Sequence, residues 1–311
     1  MKTLNTYINE WKINDKSSSK VDLNNCFIYK TQSYGKIKIL NSGWDHFGYY
    51  KDNVYIDGEQ IDLDNDGWTV EDLSPGEHKV YIFNIDNVKT CNGMFSHCYE
   101  LTYVPMFNTS YVKDMHFMFN ACTQLKYVSL LNTVNVEDMC GMFNHCEKLK
   151  TIPKFNTRNV TDMSNMFMGC GNLESVPLLN TSKVKDMAYM FYRTSIKEAP
   201  LFDTKNVTNM YGMFEACTKL EKVPLFNTSK VEIMGNMFKS CKKLTNVPLF
   251  NTCNVEDMCN MFENCENLQD VPLFNLNSIK NKIFMFYNCY KLNNKSFNNW
   301  SQVYNFNTHE Y

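Results

Sequence analysis

The sequence predicts a repeat solenoid of short parallel strands and helical or 3-10 turns, preceded by a small N-terminal β-rich cap domain. Three observations predict it. The dipeptide Met-Phe returns nine times in one register, from Met94-Phe95 to Met285-Phe286, at a step of 24 residues broken once by a step of 23. Eight cysteines, from Cys98 and Cys122 to Cys265 and Cys289, keep the same register. Before the repeats, residues 26 to 83 hold strand-like runs separated by turn signals. A unit this short cannot bury its own apolar face, so successive units must stack.

Residues 1–20 read as a short helix or anchoring peptide, with Leu4, Tyr7, Ile8 and Trp11 on one face before a polar run. Residues 21–76 read as the cap. Its strand candidates are Cys26-Phe27-Ile28-Tyr29, Ile37-Lys38-Ile39-Leu40 and Asn53-Val54-Tyr55-Ile56, and Asp57-Gly58 is a two-residue hairpin signal. The turn Ser74-Pro75-Gly76-Glu77 leads into a further strand, His78 to Phe83. Asp62, Asp64 and Asp66 match the first half of an EF-hand loop and are calcium candidates. Loop position 12, which requires a bidentate glutamate, is Leu73, so an aspartate-rich hairpin turn is the preferred reading.

Residues 77–292 form the repeats. Counting back 24 from Val104 reaches Val80, which makes the last cap strand also the first solenoid strand and predicts one shared sheet with a rigid junction near Glu77. In the unit that begins at Cys122, the spacing of Leu125, Val128 and Leu130 places one strand of about three or four residues with those side chains inward. Proline follows the valine in most copies and ends the ladder, because it has no N–H to donate. In Phe107-Asn108-Thr109 and its copies, asparagine is expected to bond an amide two residues on at the corner. Val160-Thr161-Asp162-Met163 reads as a second short strand, and Met-Phe-x-x-Cys as one helical or 3-10 turn burying all three named residues. The coil through Thr194 lacks one residue and has threonine for cysteine, which predicts a local offset in curvature. Lys282 stands where methionine belongs, and residues 293–311, with Trp300, Tyr304 and Phe306, read as an aromatic C-terminal cap.

Charge and motifs exclude several functions. A net charge of −2 with mixed signs leaves no basic stripe for nucleic acid. No run of 18 apolar residues is present to span a membrane, and residues 1–20 lack the apolar region and cleavage site of a signal peptide. The cysteine register reads as a reduced, buried ladder, and no Cys-x-x-Cys pair suggests zinc. No catalytic motif survives, and His97 and His145, two coils apart, read as surface residues; neither cofactor nor metal is expected. Binding is expected to use positions that vary while the core stays fixed. The candidates are Thr102, Tyr103, Lys126, Tyr127, Lys150, Glu174, Glu221, Lys222, Asn246 and Asp270, with Tyr103 and Tyr127 as the aromatic anchors. The alternative is an ordinary solvated face.

The unit Cys-x-x-Leu-x-x-Val-Pro-Leu-Phe-Asn-Thr-x-x-Val-x-x-Met-x-x-Met-Phe-x-x-Cys closely resembles the BspA-like leucine-rich repeats, in particular the DUF285 variant. The resemblance covers residues 77–292. It implies a right-handed leucine-rich-repeat solenoid with adhesion or recognition roles, protein or cell-surface glycan partners and no catalytic residues. Familiar members are exported, and this chain departs from them in lacking a signal. Its opening, Met1-Lys2-Thr3-Leu4-Asn5, with Tyr7, Ile8 and Glu10, is similar to the beginnings of structural proteins of crAss-like gut phages. That implies a virion component, a tail, fibre or capsid-decoration protein docked to other virion proteins through residues 1–20. The alternative is a cytoplasmic or host-directed protein-binding scaffold.

Overall fold

The computed structural model describes residues 26–301; the expectations for residues 1–20, Tyr304 and Phe306 lie outside them. Six strands form one sheet in the order β3-β2-β4-β1-β5-β6. They are β1 (Phe27–Thr31), β2 (Val54–Ile56), β3 (Glu59–Ile61), β4 (Gly76–Ile82), β5 (Leu101–Val104) and β6 (Tyr127–Val128). β2 and β3 make the hairpin that Asp57-Gly58 signals, both turn residues having positive φ (52° and 94°) as a type I′ turn needs. β4 alternates, with His78, Val80 and Ile82 buried.

The expectation that β4 stacks directly on the first repeat strand is corrected. β1 lies between them, antiparallel to β4 over Phe27↔Val80 to Thr31↔Gly76 and antiparallel to β5 at Ile28↔Tyr103. An extended segment far away in the chain occupies the slot that a simple 24-residue count assigns to β4. Sheet and core are nonetheless continuous, since β4 and β5 both pair with β1 and the rings of Phe27 and Phe95 are 4.9 Å apart. Helix α1 (Phe47–Tyr50) and buried Trp44 close the underside, the Trp44 ring stacking on Tyr50 at 5.1 Å and its indole N–H donating to the Thr90 carbonyl.

Beyond β5 each 24-residue coil hydrogen-bonds to the next. The Met-Phe-x-x-Cys segment, expected to be helical or 3-10, is instead a chain of overlapping β-turns. In one coil, Met118 N–H bonds Met115, Asn120 bonds Phe117 and Cys122 bonds Phe119, all three residues back. The intervening N–H groups of Met115, Phe117, Phe119 and Ala121 point forward to carbonyls of Asp138, Cys140, Met142 and Asn144. The physical reason is backbone handedness. Phe117 and Ala121 have φ of 51° and 59°, and the equivalent residues of the other coils are also left-handed, which a helix cannot accommodate.

The opposite side of the coil is barely a strand. After β5 and β6 only single parallel bridges remain, such as Glu198↔Lys222 and Asn246↔Asp270, fewer pairs than the expected three or four residues. Proline after the valine position has no N–H to donate to a ladder, whereas Ser129, in the coil of β6, donates its N–H to the Val104 carbonyl. The Asp-Met segment adds one bridge per coil, in a row from Asp114↔Asp138 to Asp257↔Asn281.

Side-chain columns hold the coils in register. Phe95, Phe119, Phe143, Phe167, Phe191, Phe214, Phe238, Phe262 and Phe286 are buried, with neighbouring ring centroids 5.5–5.9 Å apart. Beside them Cys146 donates its thiol to the Phe119 carbonyl at 3.1 Å, and the other column cysteines from Cys122 to Cys289 repeat the bond. At the corner, Asn156 Oδ1 accepts the Arg158 N–H two residues on, as expected. The link between coils there comes from threonine, Thr157 donating to the Asn180 carbonyl at 2.9 Å. Threonines 109, 133, 181, 204, 228 and 252 do the same.

The short coil loses its residue between Thr194 and Ile196, where other copies have two residues between cysteine and leucine. Ile196 still fills the leucine site, 1% exposed, and the bridges Asp162↔Asp186↔Asn209 run past unbroken. At the far end Lys282 is buried in the methionine position. Helix α2 (Asn294–Ser301) then brings Trp300 edge-on to Phe286, with centroids 5.0 Å apart.

Burial pushes the column thiols up, Cys170 to about 12, and Cys146 in the same direction. They are therefore protonated donors at neutral pH and poor nucleophiles. In the folded chain, iodoacetamide is expected to label exposed Cys253 first and half-buried Cys140 and Cys259 more slowly, sparing Cys122 to Cys265 until the chain unfolds. Peptide mass spectrometry reads the order; column labelling as fast as Cys253 would contradict a closed core.

Candidate binding face

The outward face of the strand side follows from how the chain is phased around the proline. In the second coil Tyr127 is exposed, Val128 buried, Ser129 half-buried, Leu130 exposed, Leu131 buried and Asn132 exposed. Extended chain cannot turn two consecutive side chains to the same side. Because Leu131 and the phenylalanines equivalent to it are buried, the residue before them must point to solvent. Leu130 is accordingly 55% exposed, which corrects its expected inward placement.

The same position in the other coils gives Met106, Leu178, Leu201, Leu225, Leu249 and Leu273, between 48% and 64% exposed. Only Lys154 interrupts this apolar stripe. At its N-terminal end Met106, Leu130, Lys154, Asp86 and the corner asparagines line a groove of about 590 Å³. The sequence does carry a signal for the stripe: a conspicuous apolar position directly before another apolar position in nearly every coil.

The sequence candidates lie beside the stripe, and their fates differ. Lys126, Tyr127, Lys150, Glu174, Glu221, Lys222, Asn246 and Asp270 are exposed, Tyr127 the most open aromatic among them. Glu221, Lys222 and Asn246 meet in one shallow depression. Lys222 is held by Glu198 at 2.6 Å and Glu221 by Lys243 at 3.3 Å, so this stretch presents paired charges. Thr102 and Tyr103 are only half-exposed. Thr102 donates its hydroxyl to the Ile28 carbonyl of β1, and the Tyr103 and Ser129 hydroxyls are 3.1 Å apart. The inserted strand β1 takes these two out of a free surface.

The calcium candidates do not converge. Asp64 Oδ1 accepts the N–H groups of Asp66 and Trp68, which makes the segment a hairpin turn, and Leu63 bridges to Thr69 across it. Among the described residues, three acidic or histidine ligand atoms come together only at Asp114, His116 and Asp138. There His116 Nδ1 already lies 2.9 and 3.1 Å from the two Asp114 oxygens. Each aspartate of that row also accepts the N–H two residues on, as Asp138 does from Cys140. Burial, with the charges of Asp162 and Asp114 behind it, holds the Asp138 carboxyl above the usual carboxylate range. The row is a turn-capping device along the coil. His97 and His145 are exposed, as expected, the His145 ring lying against Gly169.

The chain matches the family described as "Mycoplasma protein of unknown function, DUF285" over residues 69–175, 124–224 and 216–309. No curated protein matches it. Solved structures similar to it include a leucine-rich repeat protein of T. pallidum, at 17% identity over 69% of this chain and 75% of that one, TM-score 0.28. A leucine-rich repeat protein from Eubacterium ventriosum is 17% identical over 64% and 73%, TM-score 0.35. A leucine-rich cell surface protein from Faecalibacterium prausnitzii is 17% identical over 68% and 76%, TM-score 0.34. Superpositions this loose carry nothing about this chain's binding. No helix among the described residues is long and apolar enough to cross a membrane. With its repeats matched from residue 69 to residue 309, the chain belongs to the DUF285 family of BspA-like repeat proteins.

Proposed function

We propose that this chain is a non-enzymatic binding protein, a leucine-rich-repeat solenoid with a β-rich N-terminal cap that recognises protein through its strand-side face. The single observation behind this reading is the leucine stripe. Folded proteins rarely leave a long contiguous apolar row in water unless something covers it. Exposed charges and Tyr127 flank the row, the mixture of apolar centre and polar rim common at protein interfaces. Family members of this repeat type act in adhesion and protein binding, which agrees with the reading.

The test compares the full chain with a Leu201→Glu, Leu225→Glu, Leu249→Glu variant in quantitative capture from the source culture. All three side chains are exposed, so the variant keeps its circular dichroism. Loss of captured proteins relative to the parent supports the reading; equal capture overturns it. Docking to a virion is a separate proposal resting on residues 1–10 of the sequence. Enrichment in purified virus-like particles by mass spectrometry supports that proposal, and recovery in cytosol or envelope alone rejects it.

A further inference from the structure

We propose that the leucine stripe is covered by a second copy of this chain, packed antiparallel about a twofold axis at Leu178; this rests on the stripe being an interface at all. With the axis at Leu178, six of the seven apolar side chains lie within the pair, and at on the order of 100 Å² each they present ~600 Å², near the roughly 800 Å² that one partner contributes to a standard interface. The stripe carries one residue per coil, a spacing of about 4.8 Å over roughly 34 Å. A surface with the same spacing and length is a second stripe, and a twofold pair brings the same patch of both copies together.

Charge complementarity fixes the register. Lys154 is the single break in the stripe. Asp203 is the single acidic replacement in the corner column that otherwise runs Asn108, Asn132, Asn156, Asn180, Asn227, Asn251 and Asn275. The two lie one coil before and one coil after Leu178. An axis through Leu178 therefore sets Lys154 of one copy opposite the Leu201 and Asp203 coil of the other, on both sides of the axis. Asp203 is exposed to this approach, held only by Lys205 at 3.1 Å with both side chains about half exposed. Other registers set Lys154 against leucine beside neutral asparagine, against Lys154 of the second copy, or, about Leu130, against Met106 and Asp86, and that last register leaves Leu201, Leu225, Leu249 and Leu273 outside the contact.

In the register about Leu178, Met106 faces Leu249 and Leu130 faces Leu225 of the second copy. The groove between Met106, Leu130 and Lys154 then receives Leu225 and Leu249, which protrude 62% and 60% exposed. Lys126, Tyr127 and Lys150 stay along the rim of the pair, open to other partners.

The experiment is sedimentation equilibrium of the full chain with and without substitutions. A dimer is expected at roughly 50 µM chain or below. Lys154→Glu and Asp203→Lys are each expected to weaken it about tenfold, and the double reversal to restore it. A disulfide requires Cα atoms within about 7 Å, which only a residue on the axis offers to its own copy. In a Cys253→Ser background, Leu178→Cys should thus form a covalent dimer on mild oxidation. Leu249→Cys should not, unless mixed with Met106→Cys. A monomer throughout that range, a dimer that Leu178→Cys fails to link, or a double reversal that restores nothing overturns the proposal. The outcomes separate it from the reading it rests on. A monomeric chain whose Leu201→Glu variant loses captured protein sinks only the second copy. A dimer abolished by Leu201→Glu while capture is unchanged keeps the dimer and removes the recognition role from the stripe.

Discussion

Phe143→Ala is expected to lower the unfolding free energy by about 3–5 kcal/mol, the cost of emptying a buried phenylalanine site. The ring is fully buried and stacked between Phe119 at 5.5 Å and Phe167 at 5.9 Å, with Phe155 at 6.3 Å. Removing it takes away both stacking contacts that join its coil to the two neighbours. In a repeat protein, stability is a sum of unit terms and nearest-neighbour interface terms, so a weak interface separates the chain into blocks. Urea unfolding followed by circular dichroism should therefore show a lower midpoint and a smaller apparent m, as the N-terminal and C-terminal coils cease to melt together. A loss below about 1 kcal/mol with m unchanged would mean that the phenylalanine column is not what couples the coils.

Gly141→Ala is the second large effect. Gly141 has φ of 58°, and a Cβ on it would sit 2.2 Å from the Phe117 ring of the preceding coil. The left-handed backbone costs a non-glycine residue roughly 1–2 kcal/mol, and forcing a carbon into an occupied site adds about 1–3 kcal/mol. Phe117→Ala in the same chain should return the second part and leave the first, because the ring is the obstacle and the backbone angle is not. The cycle is read from urea midpoints of the four chains. Additive effects would show that the ring moves aside without cost. The arrangement recurs: His145 lies over Gly169 and Tyr189 over Gly212, so a large ring in one coil is matched by glycine in the next.

The buried columns were legible because they repeat. A residue that returns every 24 positions beside phenylalanine has one simple place to go, and Met142, Phe143 and Cys146 are all fully buried. The turn geometry was not legible from the same spacing. Methionine, phenylalanine and cysteine at positions one, two and five fit a helical turn as well as they fit linked β-turns. The distinguishing sign is the composition just before each Met-Phe methionine, where Gly93, Gly141, Asn165, Gly212, Asn236 and Asn260 share the left-handed angle with bulkier residues. Leu130 was misplaced because a spacing of apolar residues was read without the phase that buried Leu131 imposes. The insertion of β1 had no trace in the repeat at all, since antiparallel pairing over more than 70 residues leaves no period. Hence Thr102 and Tyr103 are tied to Ile28, while the Tyr127 side chain, one coil further on, is exposed.

The hydrogen bonds between coils run in two opposed directions, and this has an electrical consequence. On the turn side the N–H groups of Met115, Phe117, Phe119 and Ala121 point toward the following coil. On the other side those of Lys126, Ser129 and Glu137 point toward the preceding one, at Thr102, Val104 and Lys113. Each peptide carries a dipole of about 3.5 D, and aligned peptides sum to about half a charge at each end of an α-helix. Here four N–H groups per coil point forward against about two pointing back, so the two sides cancel only in part and a net dipole runs along the axis with its positive end toward the C-terminal coils. As in a helix, such a dipole is felt at the two ends, and adding or removing whole coils in the middle changes neither end group, so copy number can vary without new charges to compensate it.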